Sequence, residues 1–271
     1  MKVVDVVVAK TSDSEEITTV AELVGKTMPT AFILNYGTHG FAKFRFDDAS
    51  LRAFETNLHK IEELAERRNV CNQLYDNVKS LRVAGSQALA AIRNALPAEE
   101  TEEMLVNYLK SIVPTLIKKY LPMETYEQEM SGMFEAVMQI VQSKKFFESE
   151  GTSQLLIKCL IDFAESEAHL AMINEWFKLD SFCDIKFSVE IQHLMVPKIW
   201  CSRTIPQDQK DTALERMRSI DNSDKIGLTE KRCHASVPTV DAKRAVFEKL
   251  FSDEVDKLSL YAVEADASGF R

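Results

Sequence analysis

Two Glu/His pairs at helical spacing are the residues of this sequence best suited to chemistry. Glu190 and His193 form an E-x-x-H pair, and Glu165 and His169 lie four positions apart. Carboxylate-bridged di-iron sites use such spacing because it places both ligands on one helix face, but they need two E-x-x-H pairs and further inward-facing glutamates. The sequence contains one E-x-x-H, so we expect no metal site. A helical di-iron oxidase remains an alternative that metal analysis would settle.

The other candidate side chains lack chemical partners nearby in the sequence. His39 lies in a glycine-containing loop without a neighbouring Ser or Cys nucleophile, and we expect it to face solvent. Cys233 and His234 are adjacent, but no second pair of zinc ligands accompanies them. The motifs H-E-x-x-H, G-x-S-x-G and G-x-G-x-x-G and a Walker loop are all absent from the sequence. We therefore predict no catalytic, cofactor-binding or metal-binding residue on this chain and assign no substrate-binding residue.

The elements that would position these side chains begin with strand-like runs. The predicted strands are residues 3–9, 17–20, 31–35 and 41–46. In the last of them Ala42, Phe44 and Phe46 fall on one face, and this period of two is typical of a half-buried strand. Residues 36–40 are then predicted to form a hairpin connection in which the glycines supply positive φ.

After Phe46 the spacing of apolar residues changes to three and four. Asp47 or Asp48 is predicted as an N-cap, because a carboxylate can accept the free N–H groups of a first helical turn. Leu51 and Phe54 begin the apolar face of the first helix. The segment around residue 40 is therefore predicted to contain the boundary between the strands and the helices.

The sequence that follows this boundary has helical periodicity. The apolar stripes predict helices over residues 51–61, 71–81, 104–116, 126–141, 153–163, 168–177, 189–201, 207–220, 225–235, 240–251 and 254–265. Gly85 is predicted to close the second of these helices. Pro114 must kink or split the third, and Pro197 is expected to break the helix over 189–201.

Helices with one apolar stripe each need neighbours on one side and water on the other. The economical packing is a curved stack of antiparallel helix pairs, a HEAT-like α-solenoid. No strict sequence period is present, so the repeat would be architectural. We therefore predict a mainly α protein, with residues 1–46 as partial β-sandwich strands and residues 47–271 as a helical C-terminal domain.

Composition excludes several classes of function. The 271 residues carry a net charge of −9, which disfavours nucleic acid as a partner because phosphate binding relies on clustered Lys and Arg. The five cysteines are scattered and form no C-x-x-C, so we expect free thiols in the cytoplasm or another reducing compartment, although a single disulfide stays open. No apolar run approaches the length of a membrane span.

Several short motifs resemble a known family. The run Gly40-Phe41-Ala42-Lys43-Phe44-Arg45-Phe46-Asp47, followed by Ser50-Leu51, resembles the junction between β-sandwich and helical domain in zinc aminopeptidases of the aminopeptidase N type. The run Ala21-Glu22-Leu23-Val24-Gly25-Lys26 is similar to the bacterial branch of this family. Near the end, Pro238, Ala242-Lys243 and Phe247 resemble a late helix pair of the family.

The resemblance implies a supporting role and not a catalytic one. The H-E-x-x-H zinc site and the G-x-M-E-N substrate-amine motif of the family are missing from this sequence, so zinc would belong to a catalytic domain, in cis or in trans. In the family the helical domain forms a bowl that closes the active-site chamber and limits access to peptides. We expect this chain to be inactive alone. The alternative is a stand-alone, catalytically inactive relative that acts as a scaffold or assembly subunit.

Overall fold

The computed structural model describes residues 4, 6, 18–253 and 255–270 of the chain. These residues are mainly helical, as predicted, and their sheet structure is one antiparallel pair of short strands. The contacts divide the chain into two compact units, Met1–Ala95 and Leu96–Arg271. The strand predicted over residues 3–9 lies outside the described residues except at 4 and 6, and residue 17 also lies outside them.

Three α-helices lie among the residues of the first unit that the structure describes. They are α1 (Asp48–Asn57), α2 (Leu64–Lys79) and α3 (Gly85–Ala95). The predicted N-cap is confirmed, because Asp47 Oδ1 accepts the N–H groups of Ala49 and Ser50, each at 2.9 Å. Phe46 and Phe54 pack edge to face with ring centroids 5.0 Å apart. α1 in turn packs on α3, so the capped turn is fixed against the core of the unit.

The prediction of strands over residues 31–35 and 41–46 is wrong. These residues are described and form no strand, and residues 36–38 form a short 3₁₀ turn instead of a hairpin loop. A strand exists only where a second strand completes its hydrogen-bond ladder. Here the main-chain oxygens of Leu34 and Phe44 are bonded by side chains of α2 instead. The alternation of apolar and polar residues therefore did not indicate which element would satisfy the main-chain groups of this segment.

The boundary between α2 and α3 also differs from the prediction. α2 ends at Lys79, and Leu81 has a positive φ of 56° in the turn that follows. Gly85 begins α3 and does not close α2. The sequence reading missed α3 because its core-facing positions are mostly alanines, such as Ala88 and Ala91, which contribute little to an apolar pattern.

The second unit contains ten further α-helices among its described residues. They are α4 (Glu102–Val106), α5 (Val113–Tyr120), α6 (Met123–Gln142), α7 (Glu150–Phe163), α8 (Glu167–Leu179), α9 (Val189–Cys201), α10 (Gln207–Ile220), α11 (Lys225–Ser236), α12 (Val240–Leu250) and α13 (Leu260–Ala267). The strands β1 (Ser181–Phe182) and β2 (Ile185–Lys186) pair between α8 and α9. α9 packs against α7, α8, α10 and α11 and so forms the centre of this unit.

The two prolines predicted to interrupt helices behave differently. After α4 the chain passes through a π-helical segment, Asn107–Ile112, into α5, where Pro114 occupies the first turn. The predicted split is therefore confirmed, since a proline is tolerated where the N–H would have no partner. Pro197 lies inside α9, which continues to Cys201, so the predicted break is wrong. Packing against four other helices holds α9 together despite the missing N–H.

Lysines that are buried or half-buried connect helices of the second unit. Lys198 of α9 donates to the carbonyl oxygen of Ala164, just after α7, at 2.9 Å. Lys210 of α10 donates to the carbonyl oxygen of Ser202, just after α9, at 2.5 Å. Lys243 of α12 donates to the carbonyl oxygen of Ala235, at the end of α11, at 2.6 Å. Each cation satisfies carbonyl groups that a helix end leaves unpaired and lies at the negative end of the helix dipole.

Candidate functional site

The E-x-x-H pair of α9 does not converge on a common point. His193 is buried, with Nδ1 2.7 Å from Thr229 Oγ1 and Nε2 2.7 Å from Asp221 Oδ2. Glu190 is exposed, and its carboxylate lies 3.7 Å from Lys225 Nζ. Because both imidazole nitrogens are engaged and the glutamate pairs elsewhere, the two residues do not form half of a metal site.

The hydroxyl, imidazole and carboxylate around His193 are connected in the order of a nucleophilic triad. The hydroxyl group, however, is not accessible to a substrate. Thr229 is 1% exposed, so a substrate cannot reach its Oγ1. The N–H of Ser223 donates to Asp221 at 2.8 Å, and this bond together with that from His193 lowers the pKa of Asp221 to about 2. The three side chains join α9, the end of α10 and α11, which makes the cluster a structural connection.

The second Glu/His pair is also separated. Glu165 Oε1 lies 3.0 Å from Lys198 Nζ. His169 stacks on Phe134 with ring centroids 3.8 Å apart, and its Nε2 lies 3.7 Å from Glu135 Oε1. Burial lowers the pKa of His169, with Glu135 acting in the opposite direction. The imidazole is therefore part of an aromatic core and not a ligand shared with Glu165.

The remaining candidates lie apart from one another. His39 is exposed in its loop. Cys233 is buried, and burial raises the pKa of its thiol, so it is a poor nucleophile. The adjacent His234 packs edge to face against Trp200, with ring centroids 5.1 Å apart. Within residues 4, 6, 18–253 and 255–270, no group of three or more His, Cys, Asp or Glu side chains could hold a metal ion.

A polar stripe of α2 is the feature that the sequence reading missed. It consists of Glu66, Asn69, Gln73 and Asn77, which are between 2% and 7% exposed. Their spacing of three, four and four places them on one helix face. The apolar positions of this helix predict the helix but not its buried polar face. The regular spacing of the amide side chains was the signal that could have indicated this face. These four side chains form what is called the polar stripe below.

An exposed apolar surface lies at the other end of the chain. None of the residues Val240–Leu250, all of which the structure describes, is buried. Val240, Phe247 and Phe251 are exposed and follow one face of α12 and its last turn. The rings of Phe247 and Phe251 lie 4.5 Å apart between centroids. These three residues are the apolar stripe of α12.

The described helices include none that is long and apolar enough to cross a membrane. The fold is a many-helix domain in which buried polar groups connect helices. This is the class of a mainly helical domain.

Residues 31–270 match the family model of the ERAP1-like C-terminal domain, and the chain belongs to this family. The match confirms the resemblance to the C-terminal region of an aminopeptidase N type enzyme. It begins ahead of α1 and so includes the segment that precedes this helix as well as the helices. The comparison with curated proteins found no significant match.

Proposed function

We propose that this chain is the non-catalytic C-terminal helical domain of an aminopeptidase N type zinc aminopeptidase, where it caps the active-site chamber and gates the access of peptides. The observation that carries the proposal is the family match over residues 31–270. In that case zinc would be held by the catalytic domain.

The role of such a domain is to form a wall that opens and closes. Closure around a substrate excludes water and large molecules, and opening releases product, so a lid of this kind selects peptides over folded proteins. The net charge of −9 supports attraction of the free amino group of a peptide if acidic side chains face the chamber. The partners proposed are therefore a catalytic domain, in cis or in trans, and a peptide substrate.

The proposed location is the cytoplasm or another reducing compartment. None of the five cysteines, all of which the structure describes, forms a disulfide: Cys71, Cys159, Cys183, Cys201 and Cys233. Free thiols persist where glutathione and thioredoxin keep them reduced, which supports this location.

The first test is the size and composition of the native polypeptide. An antibody raised against α6 would be used to isolate the protein from its source, and zinc content and aminopeptidase activity would be measured on the isolate. A polypeptide or complex heavier than the 30.7 kDa of this chain, with zinc and activity, is the expected result. A species of 30.7 kDa without either property would overturn the proposal.

Gating has a separate test in the active assembly. Lys210→Met removes the donor that satisfies the carbonyl groups at the end of α9 and should loosen the helical domain. We expect the ratio of peptide hydrolysis to hydrolysis of a single aminoacyl amide to change, because only the peptide depends on the chamber wall. Lys225→Met, at an exposed lysine, is the control. An unchanged ratio in a variant whose helical domain melts earlier would exclude gating.

The second candidate function is that of a stand-alone, catalytically inactive scaffold subunit. The apolar stripe of α12 favours it, because contiguous exposed apolar residues often mark a protein contact. For a scaffold, the isolate at 30.7 kDa would be inactive and would co-purify with a larger complex. Substituting Phe247→Ser and Phe251→Ser together would then release it from that complex without unfolding it.

A further inference from the structure

The exposed face of α12 carries two charges beside its apolar stripe. Val240, Phe247 and Phe251 are 73%, 52% and 76% exposed. Arg244 and Glu248 are exposed as well and lie three or four positions from members of the stripe. At about 100° per residue, both charges fall on the same side of the line that joins the three apolar residues. The face is therefore apolar along one line, with one positive and one negative charge beside it.

The guanidinium group of Arg244 has a weak contact within its own chain. Its Nη1 lies 3.8 Å from Asp241 Oδ1, and the two side chains are 64% and 96% exposed. A long, solvent-exposed pair of this kind contributes little free energy. Arg244 is therefore able to pair with a carboxylate that approaches from outside.

A second copy of α12 complements this face when the two helices pack antiparallel. A two-fold axis at about Val246 places Arg244 of each copy opposite Glu248 of the other, because both residues lie two positions from the axis. The same axis places Val240 of one copy opposite Phe251 of the other. A two-fold contact brings together the same side of both helices, so the charges meet while the apolar stripes pack. The face is thus complementary to itself in both charge and polarity.

We propose that α12 is a homodimer contact, at which the apolar stripes of two copies of this chain pack antiparallel and Arg244 of each copy pairs with Glu248 of the other. The proposal goes beyond the gating function proposed above and does not depend on it. It also gives the stripe a different occupant from the larger complex that a scaffold subunit would bind.

The length of α12 limits the strength of this contact. Its 11 residues span about 16 Å, so a single pair of these helices buries less area than the roughly 1,600 Å² of a standard interface. The dimer is therefore weak and dissociates on dilution. Most of its free energy comes from the two phenylalanines, since large aromatic side chains at the centre of a contact contribute most to binding.

The first test is sedimentation equilibrium of the full chain from about 1 μM to about 1 mM. The average mass should rise with concentration from 30.7 kDa towards twice this value. Phe247→Ser and Phe251→Ser together should raise the dissociation constant at least about 10-fold. The matched control is Met123→Ser with Leu179→Ser, which removes two exposed apolar side chains from other helices and should change nothing. A chain that stays monomeric, or a dimer that tolerates the phenylalanine changes, would overturn the proposal.

Charge reversal tests the two-fold arrangement itself. Arg244→Glu and Glu248→Arg should each raise the dissociation constant about 10-fold, because like charges then meet in each homodimer. An equimolar mixture of the two variants should dimerise about as tightly as the parent protein, since their heterodimer has opposite charges at both contacts. The control is Lys119→Glu, a charge reversal at an exposed position of α5, which should leave dimerisation unchanged.

Two results of the charge series would contradict the proposal. One is a mixture that associates no more tightly than either variant alone, because the two charges then do not meet across a two-fold axis. The other is a parent chain that remains monomeric while the α12 variants lose binding to a different protein, because the occupant of the stripe is then not a second copy. Circular dichroism of each variant checks that its helices are intact, as expected for substitutions at exposed positions.

Discussion

Asp221 shows how one carboxylate can connect three helices. Its Oδ2 accepts from His193 of α9, its Oδ1 accepts from the N–H of Ser223, and it caps the end of α10. His193 uses its other nitrogen on Thr229 of α11. His193, which the sequence singled out as a possible ligand, is therefore part of the connection between α9, α10 and α11.

The variant Asp221→Asn should lower stability in a pH-dependent way. The folded pKa of Asp221 is about 2, below the ordinary value of 3.8, so the stability it contributes is present above about pH 4 and is lost as the pH falls through 2. We expect a melting temperature about 2–8 °C below that of the parent protein at pH 7. The difference should shrink towards zero near pH 2, as measured by circular dichroism over a pH series.

Asp224→Asn is the control for this charge change. Asp224 is exposed three residues further on and makes no side-chain cap for α11, so its substitution should leave the melting temperature unchanged. A difference between Asp221→Asn and the parent protein that stays constant from pH 7 to pH 2 would contradict the assigned pKa.

At the scale of helices, buried or half-buried lysines replace the usual glycine caps at several helix ends. Lys210 is 7% exposed and donates to the carbonyl oxygens of Trp200 and Ser202. Burial lowers the pKa of Lys210, with Glu167 as a counteracting charge. A cation at this place is stabilised by the helix dipole as well as by its hydrogen bonds.

Lys210→Met should lower the free energy of unfolding by about 1–3 kcal/mol, because it leaves buried carbonyl groups without a donor while keeping most of the side-chain volume. Chemical denaturation of the parent and variant proteins would measure the difference. Lys225→Met changes the same charge at an exposed position and should cost little. Equal losses for the two variants would show that the hydrogen bonds of Lys210 do not matter.

Gly269, which follows α13, lies close to the main chain of α11. A Cβ atom at this position would lie 2.2 Å from the carbonyl oxygen of Ala235 in α11. Gly269→Ala should therefore push α13 from α11 and lower stability by about 1–3 kcal/mol. Gly227→Ala, within α11 and in open space, should be neutral or slightly stabilising because alanine favours the helix. Thermal unfolding would separate the two variants, and a stable Gly269→Ala would contradict this packing.

The sequence predicted the positions of the helices better than it predicted which segments contact one another. Most helices downstream of residue 120 were placed to within a few residues, since strong apolar periodicity marks each of them. The strands expected before residue 47 were wrong within the described residues, because alternation of apolar and polar residues does not indicate which element lies beside a segment. The polar stripe was missed because the burial of Asn69 and Gln73 depends on a segment more than 30 residues away.

At the scale of the whole molecule, the five cysteines, none of which is in a disulfide, are probes of both units. Cys71 is buried in the first unit, and Cys159 and Cys233 are buried in the second. Burial raises the pKa of the Cys159 and Cys233 thiols. Cys183 and Cys201 are only partly buried. Reactivity depends on the exposed thiolate, so the five positions should divide into two classes.

Alkylation of the native protein at pH 8 should therefore modify Cys183 and Cys201 first and leave the three buried thiols intact until their unit unfolds. Mass spectrometry after a labelling pulse at increasing denaturant would follow each position. Loss of protection at Cys71 reports unfolding of the first unit, and simultaneous loss at Cys159 and Cys233 reports cooperative unfolding of the second. Reducing agent should leave both transitions unchanged because none of the five cysteines forms a disulfide. Labelling of Cys233 as fast as Cys183 in the native protein would contradict the core that joins α9, α11 and α13.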